Sequence, residues 1–192
     1  MVRRYSMRGR ADTSAETRRR IVRATYELHA ERGIAATSVR DIAERADVSP
    51  GTVYHHFPDY NDVIVACGEF TFETTRPPTL EIFAGAATPG GRLRVLVDEL
   101  FAFYRRFPAY EKVRLERDAF DPVEQAIAQD EANRRALIRA ALAPKRIGSR
   151  AMAVAFALVD ISVYHRLVRS GVSHAAAVDE IHHLLERRLL ED

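Results

Sequence analysis

Four hydrogen-bonding side chains lie close together in the segment that follows Ser49 and Pro50. They are Thr52, Tyr54, His55 and His56. Val53 and Phe57 are four residues apart and predict the inward face of a short helix, which turns these polar groups outward or sideways. Ser49 suits the N-cap and Pro50 the first helical position. A helix with this polar face fits the major groove of duplex DNA, where donors and acceptors identify each base pair.

The preceding segment predicts a second short helix and a tight turn. Thr37 or Ser38 can cap this helix, and Asp41, three residues after Ser38, completes a capping box. Its buried stripe consists of Ile42, Ala43 and Ala46. Asp47 falls where the chain must reverse, and a short polar residue tolerates the left-handed backbone of such a turn. Residues 37–58 therefore predict a helix-turn-helix.

Basic residues are concentrated at the N-terminus. The net charge is only +2, but residues 1–25 hold eight arginines against Asp12 and Glu16. A positive segment beside a helix-turn-helix favours attraction to phosphates, although a solvated tail is the alternative. Residues 1–13 lack apolar periodicity and predict a flexible basic arm.

Apolar residues repeat at helical spacing along the rest of the chain, and no strand alternation persists. Caps, glycines and prolines mark the ends of the predicted helices. Six of these helices span 14–33, 80–83, 110–120, 121–143, 149–170 and 173–190. Two more run from Asp59 to a break at 76–78 and from the loop 88–91 to residue 107. At 192 residues, the chain exceeds one DNA-binding unit. We predict an all-α fold: an N-terminal three-helix DNA-binding unit in a domain spanning 14–74, with the helix-turn-helix at about 37–56, and a C-terminal helical domain for ligand binding and dimerisation over 75–192.

The last two predicted helices are unusually apolar. Met152, Phe156 and Val159 form one stripe of the first, while Val154 and Leu158 make the opposite side apolar too. A helix that is apolar nearly all round must be buried on two sides. A symmetric partner that supplies the same two helices would complete a four-helix bundle. Residues 149–190 therefore predict a homodimer.

Other classes of site have little support. His55-His56 and His182-His183 are adjacent pairs without metal-ligand spacing, so neither a metal nor another cofactor is expected. Asp121 and Glu124 fit helix-start positions better than acid–base chemistry, and no catalytic motif accompanies them. We predict no catalytic residues and no enzyme.

The apolar pattern does not predict a membrane protein. The longest apolar run, 151–163, is too short to cross a bilayer and contains Asp160, and no signal-like apolar segment follows the early arginines. Cys67 lies on the apolar side of its helix and is expected in the core, with a redox sensor as the alternative. We expect a cytoplasmic protein that has no membrane contact.

Residues from about 14 to 66 resemble the TetR family of one-component transcriptional regulators. The segment that carries the resemblance is RRRIVRATYELHAERGIAATSVRDIAERADVSPGTVYHHFPDYNDVI. The resemblance implies a dimer that inserts two recognition helices into successive major grooves of a palindromic operator, and a C-terminal domain in which a small effector changes their separation. The sequence departs from the family pattern at Asp47, where a glycine is usual, and at His29, where a phenylalanine is usual.

The resemblance also implies roles for individual residues. Thr37, Ser38 and Arg40 would touch phosphates, Thr52 and His55 would approach base edges, and Tyr54 and His56 would clamp the DNA backbone. Ser49, Pro50 and Gly51 complete the expected DNA-binding set. Tyr60 stands where the family commonly has a phosphate-binding lysine, so this contact becomes a neutral hydroxyl or is lost.

An effector site is expected among aromatic side chains of the later helices, with core packing as the alternative for each. The candidates are Phe70, Phe101, Tyr104, Phe107, Tyr110, Arg114, Phe120, Phe156, Asp160 and Tyr164. An apolar or aromatic molecule would suit them. The function predicted is a homodimeric, effector-responsive regulator of transcription, usually a repressor. The alternative is a helical effector-binding or scaffolding protein with weakened DNA binding.

Overall fold

The computed structural model describes residues 7–191, with side chains from Thr13 onward. The described residues form ten α-helices: α1 Met7–Arg32, α2 Val39–Arg45, α3 Pro50–His56, α4 Tyr60–Thr75, α5 Pro89–Arg106, α6 Tyr110–Leu115, α7 Asp121–Leu142, α8 Ser149–Leu158, α9 Ile161–Arg169 and α10 His174–Leu189. Short 3-10 helices span Leu80–Phe83 and Arg117–Ala119. No strand occurs among these residues, and the all-α prediction is confirmed.

The chain divides into two compact units. The N-terminal unit extends to Thr74 and also includes Lys112–Gln125. The C-terminal unit contains Thr75–Glu111 and the residues from Ala126 onward. Residues 112–125, which were predicted within the C-terminal domain, thus group with the N-terminal unit.

Helices α1 to α4 share the apolar core of the N-terminal unit. The buried members of this core are Ile21, Val22, Ala24, Leu28, Ile42, Ala43, Ala46, Val53, Phe57, Val63 and Ala66. Their spacing follows the helical period, so each helix presents one stripe to the others. Val48, in the turn between α2 and α3, packs against the same cluster. The short helices α2 and α3 are therefore held by tertiary packing, since each has only seven residues.

The helix boundaries around the turn agree with the predicted capping. Ser38 caps α2 in a capping box with Asp41, and Ser49 caps α3 with Pro50 at its start. Asp47 has a φ of +53°, which is the left-handed backbone expected there, and Gly33 ends α1 with a φ of +96°. These contacts are local in sequence, which is why the pattern reveals them.

Four predicted boundaries were wrong. Helix α1 begins at Met7 instead of Ser14, so only residues 1–6 of the predicted arm 1–13 lie outside the described residues. Residues 89–91 belong to α5, because Thr88 caps it and Pro89 occupies its first turn. Helix α6 ends at Leu115 instead of Phe120. The predicted helix 149–170 is two helices, because the Asp160 side chain accepts from Ser162 N and starts a new helix.

The C-terminal unit has its own core, and α10 packs along α5 within it. Leu93, Leu96, Leu100 and Phe101 of α5 are at most 1% exposed, and Leu185 of α10 is fully buried. Among the described residues no single helix is long and apolar enough to cross a membrane. Helices α8 and α9 are together long and apolar enough to do so, but the pair is bent by 41° at the break between them.

Candidate nucleic-acid interface

Helix α3 presents its polar side chains outward. Val53 and Phe57 are 1% and 4% exposed, while Tyr54 is 53% exposed. His55 is also exposed, and Thr52 is half-buried at the edge of the same face. The predicted inward and outward faces of this helix are therefore confirmed.

The start of α3 fixes the position of its first polar side chain. Ser49 Oγ accepts from Thr52 N at 3.1 Å and lies 2.9 Å from Thr52 Oγ1. When Ser49 donates to Thr52 in this pair, the Thr52 hydroxyl hydrogen is left for an acceptor outside the helix. Gly51 and Pro50 are exposed beside it and add little bulk. This end of α3 can approach a base edge closely.

The last turn of α3 is locally basic. His55 and His56 stack edge to face, with ring centroids 5.4 Å apart, and the Arg18 guanidinium lies 4.8 Å from the Phe57 ring centroid. Partial burial lowers the pKa of His56, and the neighbouring His55 and Arg18 lower it further. His56 therefore gains its positive charge only below its usual pH range.

Arg20 positions the turn between α2 and α3, a role that the sequence pattern did not indicate. Its Nε donates to Ala46 O at 3.1 Å, and one terminal nitrogen donates to Asp47 O at 2.7 Å. These carbonyls end α2, where a cation is favoured by the helix dipole. Arg20 was counted with the basic segment, but its guanidinium is committed to the protein backbone. Only the contact across 26 residues of sequence reveals this role.

Thr37 was expected to touch phosphate, and this expectation was wrong. Its side chain is 6% exposed, and its hydroxyl donates to Gly33 O at 2.7 Å. Carbonyls at the end of a helix lack donors within the helix, and the Thr37 hydroxyl supplies one to Gly33 O, directly after α1. Ser38 and Arg40, by contrast, are exposed at the start of α2. The Ser38 N–H and hydroxyl both donate to Asp41 Oδ2, so Arg40 is the one of the two whose side chain can donate to a phosphate.

Tyr60 was included in the expected DNA-binding set, and the structure corrects this too. Its hydroxyl donates toward Ile34 O at 3.1 Å and Thr37 O at 2.9 Å, and His29 Nε2 lies 3.1 Å away. The aromatic ring reaches into the unit, with its centroid 6.3 Å from that of His29 and 6.2 Å from that of Phe120. The phosphate contact is therefore lost, and the hydroxyl instead holds the turn that precedes α2.

His29 completes a buried chain of hydrogen bonds. Because Tyr60 gives its hydrogen to a backbone carbonyl, His29 Nε2 must be the donor to the Tyr60 oxygen. His29 Nδ1 then accepts from the Cys67 thiol, whose Sγ lies 3.7 Å away. Burial lowers the pKa of His29 to about 4 and raises the pKa of Tyr60 and of Cys67 to about 12. All three groups are uncharged at neutral pH, and Cys67 is a core residue as expected.

Five of the predicted effector residues come together in the C-terminal unit. They are Phe101, Tyr104, Phe107, Tyr110 and Tyr164. Phe101 and Tyr164 have ring centroids 4.7 Å apart, and Tyr104 and Tyr110 are stacked at 6.0 Å. Tyr104 is fully buried and its hydroxyl donates to Val159 O at 2.9 Å. The rings pack against one another as a layer around the end of α5.

Arg134 joins Phe156 and Asp160 to this layer, and the sequence did not single it out. Its side chain is 1% exposed, with Asp160 Oδ2 at 3.3 Å from one terminal nitrogen. Asp130 Oδ2 lies 3.0 Å from Nε as an ion pair, without the alignment of a hydrogen bond. Burial opposes the charge of Arg134, but the surrounding tyrosine and aspartate oxygens outweigh it and raise its pKa. The Phe156 ring centroid lies 4.7 Å from the guanidinium carbon.

Three predicted effector residues lie elsewhere. Phe70 packs edge to face against Tyr26, and Phe120 packs against Tyr60, both within the N-terminal unit. Arg114 also belongs to that unit. Phe70 on α4, and Arg114 and Phe120 in the segment 112–125, thus belong to the N-terminal unit and not to the aromatic layer of the C-terminal unit. Across the described residues, no cluster of three His, Cys, Asp or Glu side chains has the arrangement of a metal site.

Known proteins similar to this chain are of the helix-turn-helix type. Residues 21–67 match the model of bacterial regulatory proteins of the tetR family. The HTH-type transcriptional repressor KstR of Mycolicibacterium smegmatis is 33% identical over 98 residues, which cover 51% of this chain and 48% of KstR. The HTH-type transcriptional regulator AcrR of Shigella flexneri is 31% identical over 100 residues, covering 52% and 46%. The chain thus spans about half the length of the curated relatives it matches.

Solved structures extend the similarity of fold over most of the chain. A TetR transcription regulator from Haloarcula marismortui is similar with a TM-score of 0.64 and 16% identity, covering 91% of this chain and 97% of that one. The multidrug binding protein EbrR complexed with imidazole is similar with a TM-score of 0.60 and 21% identity, covering 91% and 90%. The chain is thus similar to bacterial regulatory proteins of the tetR family over residues 21–67, and its fold is similar to that of such regulators over most of its length.

Proposed function

We propose that this protein is a transcriptional repressor that binds a palindromic operator as a homodimer and responds to a small molecule in its C-terminal unit. The observation that carries the proposal is the outward face of α3, where Thr52, Tyr54 and His55 surround a helix whose other side is buried. Such a helix inserts into the major groove, with its first residues against base edges. It would act in the cytoplasm, beside the DNA it regulates.

Exposed apolar side chains support the dimer. Val154 of α8 is 37% exposed and Leu184 of α10 is 49% exposed, although most large apolar residues of both helices are at least partly buried. A second copy that presents the same two helices would cover them in a two-fold bundle. Two α3 helices would then meet one face of the duplex about 34–36 Å apart, which is one helical turn. An operator read in this way is an inverted repeat.

The aromatic layer of the C-terminal unit supports an effector site. Phe101, Tyr104 and Tyr164 provide apolar ring surface, and Arg134 with Asp160 provides polar groups at its edge. A flat aromatic or long apolar molecule that enters this layer would separate rings now in contact. The EbrR structures with imidazole and with proflavin concern a protein of the same fold. We infer that release from DNA follows when such a molecule favours a different spacing of the recognition helices.

Selection from a random pool of duplexes tests DNA binding and the dimer together. The full chain at physiological salt is expected to enrich an inverted repeat and to sediment with two chains for each duplex. Affinity that is independent of sequence even at low salt would instead support a helical effector-binding or scaffolding protein, as the inward-facing Tyr60 would allow.

Release from the selected duplex tests the effector site. Proflavin and a panel of flat aromatic and long-chain compounds would be added to the complex while fluorescence polarisation is followed. At least one compound is expected to release the DNA and to raise the melting temperature of the free protein. Compounds that bind only outside the C-terminal unit, or that release no DNA, would contradict the site.

A further inference from the structure

The turn between α1 and α2, residues 33–37, is held by groups that lie far away in the sequence. Gly33 has a φ of +96°, and Thr37 N donates to Ile34 O at 3.0 Å. The Tyr60 hydroxyl binds the carbonyls of Ile34 and Thr37. Ser38, the cap of α2, follows at once. The direction in which α2 leaves this turn therefore depends on what holds residues 33–37.

Glu116 holds the other side of the turn. Its Oε2 accepts from Ile34 N and from Ala35 N, both at 2.8 Å. Two successive amides that share one carboxylate oxygen form charge-assisted hydrogen bonds, which are stronger than neutral ones. A Cβ at Gly33 would lie 2.2 Å from Glu116 Oε1, so the approach of this carboxylate requires glycine at that position.

Lys112 adds a second contact one helical turn before Glu116. Its Nζ donates to Glu31 O at 3.0 Å, among the carbonyls that end α1. A cation is favoured at this end of a helix. Lys112 thus donates to a carbonyl before Gly33, and Glu116 accepts from two amides after it. Together they bind the end of α1 and the start of the turn as complementary charges.

Lys112 lies within α6, and Glu116 directly follows the end of this helix. Helix α6 spans Tyr110–Leu115, and the division between the units falls between Glu111 and Lys112. Glu111 is anchored within the C-terminal unit, with Oε2 2.7 Å from His165 Nδ1. Lys112 and Glu116 therefore make their contacts within the N-terminal unit.

We propose that Glu116 is a positioning residue for DNA recognition, which fixes the turn 33–37 and so sets the orientation of α2 and α3, with Lys112 as its support. The inference rests on the proposed function.

The experiment compares Glu116→Ala with Glu69→Ala in the full chain. Glu69 is an exposed residue of α4 in the same unit, so both variants remove one negative charge. Affinity is measured for the duplex that wild type selects from a random pool and for a scrambled duplex of equal length. Amide hydrogen exchange is followed at Ile34 and Ala35, with melting temperature as the check on folding.

Glu116→Ala is expected to lower the ratio of selected to scrambled affinity about tenfold and to speed exchange at both amides about tenfold, as for a lost hydrogen bond to a charged group. Glu116→Gln keeps a carbonyl oxygen and should restore part of both effects. Glu69→Ala should change neither quantity.

An unchanged affinity ratio in Glu116→Ala would overturn the proposal, even with a lower melting temperature, because a purely structural residue lowers stability alone. Unchanged exchange at Ile34 and Ala35 would overturn it as well. If wild type selects no sequence, the proposed function itself fails, whereas selection that Glu116→Ala retains in full contradicts only the role of Glu116.

Discussion

The two units use their polar side chains in opposite ways. In the N-terminal unit, Tyr54 and His55 stand exposed on α3, and their positions follow from caps a few residues away. In the C-terminal unit, Arg134 is buried with Asp130 and Asp160 in contact, and Asp160 is 26 residues distant in sequence. The first arrangement leaves hydrogen-bonding groups for a partner, whereas the second satisfies them inside the protein. Substitutions at the exposed side chains of α3 should therefore affect binding, whereas substitutions at Arg134 should affect folding.

The largest effect is expected at the buried arginine. Arg134→Met would leave the Asp130 and Asp160 carboxylates without their cation in a buried setting and should lower the free energy of unfolding by about 3–5 kcal/mol. Arg135→Met, on the same helix with a side chain 41% exposed, should cost about 1 kcal/mol or less. Urea unfolding measures both. Equal losses in the two variants would contradict the contrast between buried and exposed polar groups.

A smaller effect is expected from His29, a buried titratable group of the N-terminal unit. Its pKa is about 4 in the folded chain against a usual 6.5, so the unfolded chain binds more protons between these values. The free energy of unfolding should therefore fall as pH decreases, by about 2 kcal/mol from pH 7 to pH 5.

His29→Phe removes the titrating group and should remove this part of the pH dependence, whatever it does to stability at pH 7. His183→Ala, at an exposed position of α10, serves as the control and should keep the wild-type slope. Unfolding in urea at several pH values provides the measurement. The same slope in His29→Phe and wild type would show that His29 has the same pKa in the folded and the unfolded chain, which would contradict its burial as a neutral group.

Tyr54 tests the exposed side of the comparison. Tyr54→Ala removes a side chain that is 53% exposed, so the melting temperature should hardly change. Affinity for the selected duplex should fall about tenfold, as for a lost hydrogen bond to a phosphate. Fluorescence polarisation gives the affinity. A large drop in melting temperature with unchanged affinity would reverse the assignment of this residue.

The smallest effect is expected at the turn itself. Asp47→Gly relieves a positive φ of +53° but adds freedom to the unfolded chain, so its net effect on stability should be within about 1 kcal/mol. Asp47→Val places a branched side chain in the left-handed region and should cost about 1–2 kcal/mol more. Thermal unfolding separates the two. A more stable valine variant would contradict the backbone assignment.

The sequence predicted features whose partners lie within one helical turn. Ser38, Ser49 and the left-handed Asp47 were found in this way, because caps and turns depend on neighbouring residues. The inward faces of α2 and α3 followed from helical spacing.

The sequence failed where a distant residue decides the role of a side chain. Thr37 and Tyr60 are residue types that often occur at a protein surface. Here their hydroxyls instead donate to the backbone carbonyls of Gly33 and Ile34 inside the unit. Arg134 follows Asp130 by four residues, a spacing typical of an exposed ion pair, and only the packing around it reveals its burial. Likewise, the inclusion of Phe120 in an effector site followed its place in the sequence rather than its contact with Tyr60.

The base preference of Thr52→Ala tests the central claim most directly. The selected duplex would be varied one base pair at a time, and the affinities of wild type and Thr52→Ala would be compared at each position. A Thr52 hydroxyl at a base edge predicts that the variant loses about 1–3 kcal/mol of discrimination at two symmetry-related positions, one in each half-site, and keeps it elsewhere. A uniform loss at every position, or an unchanged profile, would contradict the insertion of α3 into the major groove.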